Sequence, residues 1–229
     1  MSNNFEKNNQ VTIKGEVVSE PVFSHSVLGE GFYNLTVKVP RLSNEADFIP
    51  VTISERLMEN IKLGLTVAFC GQFRSYNKLV GQKSKLMLTL FVRARLDPET
   101  CDEINSISLI GYVCKEPIYR TTPFGREISD LLVAVNRAYN KSDYLPCIAW
   151  GRNARFALNL NVGEKIEISG RIQSREYQKK LENDVVETRI AYEISINSIG
   201  LAEIGDSAEV ETNHVYNNSQ GTNFGANII

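Results

Sequence analysis

Residues 143–151, Asp143-Tyr144-Leu145-Pro146-Cys147-Ile148-Ala149-Trp150-Gly151, decide the fold, because an altered copy stands 96 residues earlier as Asp47-Phe48-Ile49-Pro50-Val51-Thr52-Ile53-Ser54. The same offset holds upstream at Gly15/Gly111, Val17/Val113, Glu20/Glu116, Pro21/Pro117, Gly29/Gly125 and Leu35/Leu131, and at Arg41/Arg137, Asn44/Asn140 and Arg56/Arg152. After a three-residue insertion the offset becomes 99, and Gly64/Gly163, Gly71/Gly170 and Ser75/Ser174 match. Chance does not hold one ungapped register that long. The chain is two copies of a unit of about a hundred residues, a usual domain size.

Each copy reads as five strands and one helix. Val11, Ile13 and Val17, like Ile107, Leu109 and Val113, alternate with polar positions as in a half-buried strand. Gly15 and Gly111 interrupt that alternation at one place, the mark of a bulge or a tight barrel bend. Strand two spans Tyr33 to Val39 and Leu131 to Asn136, and strand three spans Phe48 to Ser54 and Tyr144 to Trp150. A short helix is predicted over Glu55 to Leu63 and Arg152 to Asn161, stopped by Gly64 and Gly163. Strands four (Leu65 to Tyr76; Lys165 to Tyr177) and five (Leu86 to Leu96; Thr188 to Ile199) follow. Five strands with a helix between the third and fourth are the layout of the OB-fold, a Greek-key barrel. The expectation is an all-β chain: a flexible N-terminus (1–9), OB-fold barrels at 10–98 and 105–201, and a tail (202–229). That tail carries Glu203, Asp206, Glu209 and Glu211 ahead of a polar stretch without periodicity, and is expected to be disordered. Phe23, Phe69, Phe91 and Tyr119 are assigned to the barrel interiors.

Composition removes several classes. With 25 Lys+Arg, 27 Asp+Glu and a net charge of -2, a strongly basic binder is excluded. The excess acid is all in the tail, which holds four acids and no base; residues 1–100 hold 12 bases and 10 acids, and residues 101–201 hold 13 of each. No apolar run approaches the roughly 20 residues of a membrane span, and Met1-Ser2-Asn3-Asn4-Phe5-Glu6-Lys7 has no signal-peptide core, so a cytoplasmic, nucleoid-associated protein is expected. Cys70, Cys101, Cys114 and Cys147 form no Cys-x-x-Cys pair and are expected to be reduced, buried and inert. With His25 and His214 as the two histidines there is no visible metal cluster, cofactor motif or catalytic constellation, so a non-enzyme is expected.

The second copy resembles the bacterial single-stranded DNA-binding protein family. The likeness is carried by Gly111-Tyr112-Val113, Glu116-Pro117, Thr121-Thr122-Pro123-Phe124-Gly125, Leu132-Val133-Ala134-Val135-Asn136-Arg137, the stretch 143–151, and Gly170-Arg171-Ile172-Gln173-Ser174-Arg175-Glu176-Tyr177. It implies an OB-fold that binds single-stranded DNA with little sequence preference in replication, repair and recombination. It also implies that Tyr144, Trp150 and Tyr177 occupy base-stacking positions. The physics agrees, since Tyr144, Pro146, Ile148 and Trp150 share one face of a strand and the two aromatics stand about 20 Å apart at about 3.3 Å per residue. Every base has a π-face, so such stacking tolerates any sequence. Arg137, Arg152, Arg171 and Arg175, with Arg120, Arg126, Lys179 and Lys180, are candidate phosphate contacts.

The first copy departs from this pattern. Phe48 matches Tyr144, but Ser54 stands at the Trp150 position and Lys78 at the Tyr177 position, with Tyr76 two residues earlier. Arg41, Arg56, Arg74, Lys78, Lys83 and Lys85 keep a phosphate-binding potential, so the second copy is expected to contribute more of the DNA affinity. Family members with one OB-fold form tetramers, and two folds per chain imply a homodimer presenting four, with a monomer as the alternative. The tail ends in Phe224-Gly225-Ala226-Asn227-Ile228-Ile229 without the acidic tip that recruits replication and repair proteins in the family. A protein-docking subunit of a replication or replication-restart assembly is the competing reading, and an RNA-binding module a third.

Overall fold

The repeat has the same physical meaning in both halves: matched apolar positions fill matched barrels. A computed structural model describes residues 7–81, 83–180 and 186–202. The first copy supplies β1 (Asn9–Val17), β2 (Val22–Val27), β3 (Glu30–Pro40), β4 (Ala46–Ser54), a 3-10 turn (Glu55–Leu57), β5 (Thr66–Val80) and β6 (Lys83–Leu96). The second supplies β7 (Asn105–Val113), β8 (Ile118–Thr121), β9 (Glu127–Arg137), β10 (Lys141–Trp150), α1 (Arg152–Leu158), β11 (Lys165–Lys180) and β12 (Val186–Leu201). Repeat mates Ile13/Leu109, Val37/Val133, Ile49/Leu145 and Phe73/Ile172 are all fully buried, each pair in the equivalent place in its barrel.

Each barrel closes when its first strand pairs twice. β1 pairs with β5 through Val11 to Glu16 and, at its end, with β3 (Glu16↔Lys38, Val17↔Val37). β7 does the same with β11 and β9. The third and fifth OB strands, β4 with β6 and β10 with β12, pair in parallel. Gly15 shows no bulge; it sits where β1 crosses β3, and an added Cβ would collide with the Lys38 carbonyl oxygen, as one at Gly111 would meet Ala134. In the β5–β6 and β11–β12 ribbons the bulges fall instead at Cys70/Gly71 and Ser169/Gly170, again at repeat mates, and β2 is irregular at Phe23/His25. Asn9 and Asn105 stitch their barrels alike: Asn9 donates to Phe73 O (2.7 Å) and accepts from Phe73 N (3.0 Å), while Asn105 does so with Ile172 (2.8 and 3.0 Å).

β1 and β7 pair antiparallel with Val11 opposite Ile107, so the two barrels join into one twelve-stranded sheet. Val11 and Ile107 are themselves repeat mates, which places a pseudo-twofold axis between them.

Several expectations need correction. Each barrel closes with the five expected strands, and each copy adds a sixth outside it: β2 and β8 hydrogen-bond along the outer edges of β3 and β9. Phe23 is not interior, because it lies on the edge strand β2, 58% exposed, with its ring edge on Tyr33 at 5.7 Å. Of the other aromatics assigned inside, Phe69 is fully buried while Tyr119 and Phe91 are half-buried. The helix of the first copy is a single 3-10 turn, whereas α1 runs seven residues and buries Ala154 and Ala157 on its barrel. The three-residue insertion falls in this segment, and three residues are most of one helical turn. Gly64 and Gly163 do not stop these helices, whose C-caps are Met58 and Asn159; at φ +82 and +91 they lie in the loops before β5 and β11, with N–H groups donated to Val17 O and Val113 O. Cys147 alone of the four cysteines is buried; the other three are half-buried. Apart from Ala202, the tail lies outside the described residues, as do residues 1–6. Among the described residues no helix is long and apolar enough to cross a membrane, and no group of side chains is placed to hold a metal ion.

Candidate nucleic-acid interface

Along β10 the buried positions alternate with a face carrying Tyr144 (47% exposed), half-buried Pro146, buried Ile148 and Trp150 (37% exposed). The two outer aromatics of that face are thus open and its middle is packed away. Trp150 closes the strand opposite Ile128, and Gly151, at φ +53, turns the chain into α1. Tyr177 is half-buried on β11 opposite Arg189 of β12, whose guanidinium is bound by Glu187 at 2.9 and 2.7 Å. In the first copy Phe48 (42%) and Tyr76 (46%) are exposed, and Lys78 is exposed farther along β5.

Ser54 builds something different from Trp150. Its hydroxyl donates to Glu30 and accepts from Arg56 N–H, and Arg56 binds Glu30 with two nitrogens at 2.7 Å. These polar bonds hold the Glu30 carboxyl below its usual range, the Ser54 hydroxyl first. The position is closed by an ion pair and offers no ring.

The aromatics are regrouped across the copies. Tyr144 N–H donates to Ser75 Oγ of β5 (2.7 Å), and Phe48 N–H donates to Ser174 Oγ of β11 (2.9 Å). The start of each copy's third OB strand therefore lies on the other copy's β5 or β11 ribbon, one residue from Tyr76 and three from Tyr177. Beside each contact a buried aspartate accepts the serine's own N–H, Asp143 from Ser75 (2.8 Å) and Asp47 from Ser174 (2.7 Å).

The predicted basic residues divide into three groups. Arg41 and Arg171 converge on Asp47: Arg41 at 2.9 and 2.6 Å, Arg171 at 3.1 Å, with Arg41 also donating to Ser174 O (3.1 Å). Asp47 raises the Arg41 pKa, while burial lowers that of Arg171 against the same carboxylate. Arg175 lies 3.8 Å from Glu193, and Arg120 pairs with Asp130 at 2.9 Å. Arg74 and Arg137 flank the other junction. Arg74 lies over the Phe91 ring at 3.8 Å and donates to Gln72 Oε1, and burial, then the fields of Arg93 and Arg137, lower it to about 10. Arg137 Nε stands 3.6 Å from Asp143 Oδ2, and burial pushes the Asp143 carboxyl up. Arg152, Arg126, Lys78 and Lys85 are exposed, and Lys179 is half-buried. Sequence reasoning missed Arg93, Lys141 and Arg189; the first two belong to the Arg74–Arg137 side, which becomes one place only when the copies meet.

Residues 104–201 match the single-strand binding protein family. The chain is 30% identical over 122 residues to single-stranded DNA-binding protein 2 of Listeria innocua, covering 50% of this chain and 74% of that one. It is 36% identical over 84 residues to the single-stranded DNA-binding protein of Clostridium tetani, covering 34% of this chain and 58% of that one. Against other such relatives the chain spans about half of their length, as with 50% of the Staphylococcus aureus protein. In fold it is similar to the crystal structure of the wild-type single-stranded DNA binding protein from Thermus aquaticus, with TM-score 0.66 and 19% identity over 88% of this chain and 96% of that one.

Proposed function

The chain belongs to the single-strand binding protein family, and from that premise we propose that it binds single-stranded DNA with little sequence preference, in replication, repair and recombination in the cytoplasm. The barrels at 10–98 and 105–201 are the binding units. Bases stack on Tyr144, Trp150 and Tyr177, with Phe48 and Tyr76 serving the first copy, and Arg152, Arg175, Arg74, Arg137 and Lys78 meet phosphates. Arg41 and Arg171 act through Asp47, holding the copies together, because their donors already serve that carboxylate.

The observation that supports this reading best is the exposure of Tyr144 and Trp150 on one face of β10 while the opposite face fills the barrel core. A fluorescence titration of Trp150 with oligo(dT) at two salt concentrations tests it. Quenching that weakens with salt is expected, since neutralised phosphates release counterions. Absence of any affinity at either salt would leave the protein-docking reading, and equal affinity for poly(U) would point to RNA. Each stacked base is worth about 1–3 kcal/mol; Trp150→Ala should weaken binding more than Phe48→Ala, and the reverse order would overturn the ranking of the copies. In assembly the protein is a homodimer presenting four barrels, and a stable monomer or any species larger than a dimer in sedimentation would refute that.

A further inference from the structure

The two junctions between the copies are related by the pseudo-twofold axis, yet their charges are not. On one side Arg41, Arg171 and Arg175 meet Asp47, Glu45 and Glu193, three cations against three acids. On the other, the repeat places Lys141 where Glu45 stands, and β6 places Thr89 at the level of Glu193. There Arg74, Arg93, Arg137 and Lys141 line a cleft of about 450 Å³ between the copies, over Phe91 and Phe32. No carboxylate lines that cleft among the described residues, and buried Asp143, 3.6 Å behind Arg137, sets one charge against the four cations.

The four cations come from different parts of the chain: Arg74 and Arg93 from β5 and β6 of the first copy, Arg137 and Lys141 from the β9–β10 hairpin of the second. Arg74 and Arg93 both lie over the Phe91 ring, at 3.8 and 5.6 Å. Arg137 Nε is buried, pairs with Asp143 Oδ2 only at 3.6 Å and has no hydrogen-bond partner among the described residues. Like charges gathered in a partly dry site repel each other, and an anion that accepts from guanidinium forks relieves both the repulsion and the missing bond. We propose that this cleft holds a backbone phosphate of the single strand as it crosses from one copy to the other. The inference rests on the single-strand reading above, to which it adds the place where the strand changes barrels.

The test uses the full chain with Arg93 and Lys141, both exposed, changed together to Gln, and a melting curve to show that the double variant folds. Binding is measured against salt with two oligothymidylates, about 30 and about 8 nucleotides long, because one OB-fold accommodates roughly 4–16 nucleotides. With the long strand the slope of log K against log salt should fall by about 0.7, the contribution of one single-strand phosphate. With the short strand, which one barrel holds, the slope should not change. An unchanged slope with the long strand, or equal falls with both, would overturn the proposal while leaving single-strand binding intact. Wild-type protein that binds neither strand would overturn both. A melting-temperature gain from sodium pyrophosphate that the double variant loses, with strand slopes unchanged, would make this a free-anion site and also overturn it.

Discussion

Replacing one buried aspartate at a time separates the two junctions. Asp47 and Asp143 are repeat mates with side chains 1% and 3% exposed, so burial cannot distinguish them. Their partners can. Asp47 accepts two bonds from Arg41 (2.9 and 2.6 Å), one from Arg171 (3.1 Å) and one from Ser174 N–H (2.7 Å). Asp47→Asn turns an amide donor toward two guanidinium groups and removes the charge they share. Breaking a buried pair by losing one partner costs about 3–5 kcal/mol. Arg41 and Arg171 are 28% and 32% exposed, so solvent screening puts this case at the low end. At about 2–4 °C per kcal/mol for a chain of this size, the melting temperature should drop by roughly 6–12 °C. Asp143→Asn keeps an oxygen for Ser75 N–H (2.8 Å) and loses Arg137 at 3.6 Å and the field of Arg74, from a carboxyl whose charge burial already disfavours. Its loss should stay within about 1 kcal/mol, the worth of one ordinary hydrogen bond. Scanning calorimetry of both variants decides the matter, and an equal or larger loss for Asp143→Asn would refute the claim that the Asp47 side clamps the copies more strongly.

Acid should act on Asp143 in the opposite sense to a salt-bridged carboxylate. Its folded pKa is raised above 3.8, chiefly by burial, so the penalty of ionising it is fully present above that folded value and is lifted as pH falls toward the unfolded one. Wild type should therefore gain stability relative to Asp143→Asn between neutral pH and about pH 4, read as a widening of its melting-temperature advantage over the variant. Gly15→Ala should destabilise by about 3 kcal/mol through the collision with Lys38 O, whereas Gly29→Ala, in open space at φ +82, should lose only about 1 kcal/mol to its left-handed backbone; urea unfolding compares them. Burial pushes the Cys147 thiol up strongly, so Cys147→Ser should leave the number of thiols that react with a disulfide reagent in the native protein unchanged and lower it by one after unfolding.

The barrels were legible because their information is local and repeated. Period-2 alternation identified the first strand of each copy, the repeat placed strands two to five, and the shared glycines located the crossings. β2 and β8 escaped because an edge strand with all six positions exposed, as β2 has, carries no alternation. Asp47 did leave a signal: it shares its strand face with Ile49, Val51 and Ile53, all buried, a place an acid occupies only with partners. Arg41, six residues away, reads in isolation as a phosphate ligand, and only the fold reveals that Arg171, 130 residues farther on, shares its carboxylate. The cleft was illegible for the same reason, since no stretch of sequence contains both Arg93 and Lys141.

Two copies in one chain permit what two identical chains do not. In a symmetric homodimer of single barrels every substitution appears at both junctions, so a carboxylate that clamps one junction also neutralises the other. Here Glu45 and Glu193 sit on the clamped side alone, and Lys141 and Thr89 take their places opposite. The clamped side satisfies its guanidinium groups internally through Asp47. The open side keeps Arg93 and Arg137 close enough to Arg74 to add to the burial that lowers its pKa, a repulsion that destabilises the fold unless an anion arrives. A marginally stable chain carries such a repulsive cluster only when other contacts hold the same surfaces together. The Asp47 network and the β1–β7 pairing are those contacts, so divergence between the copies supplies the stability on one side that lets the other side remain unsatisfied and ready to bind.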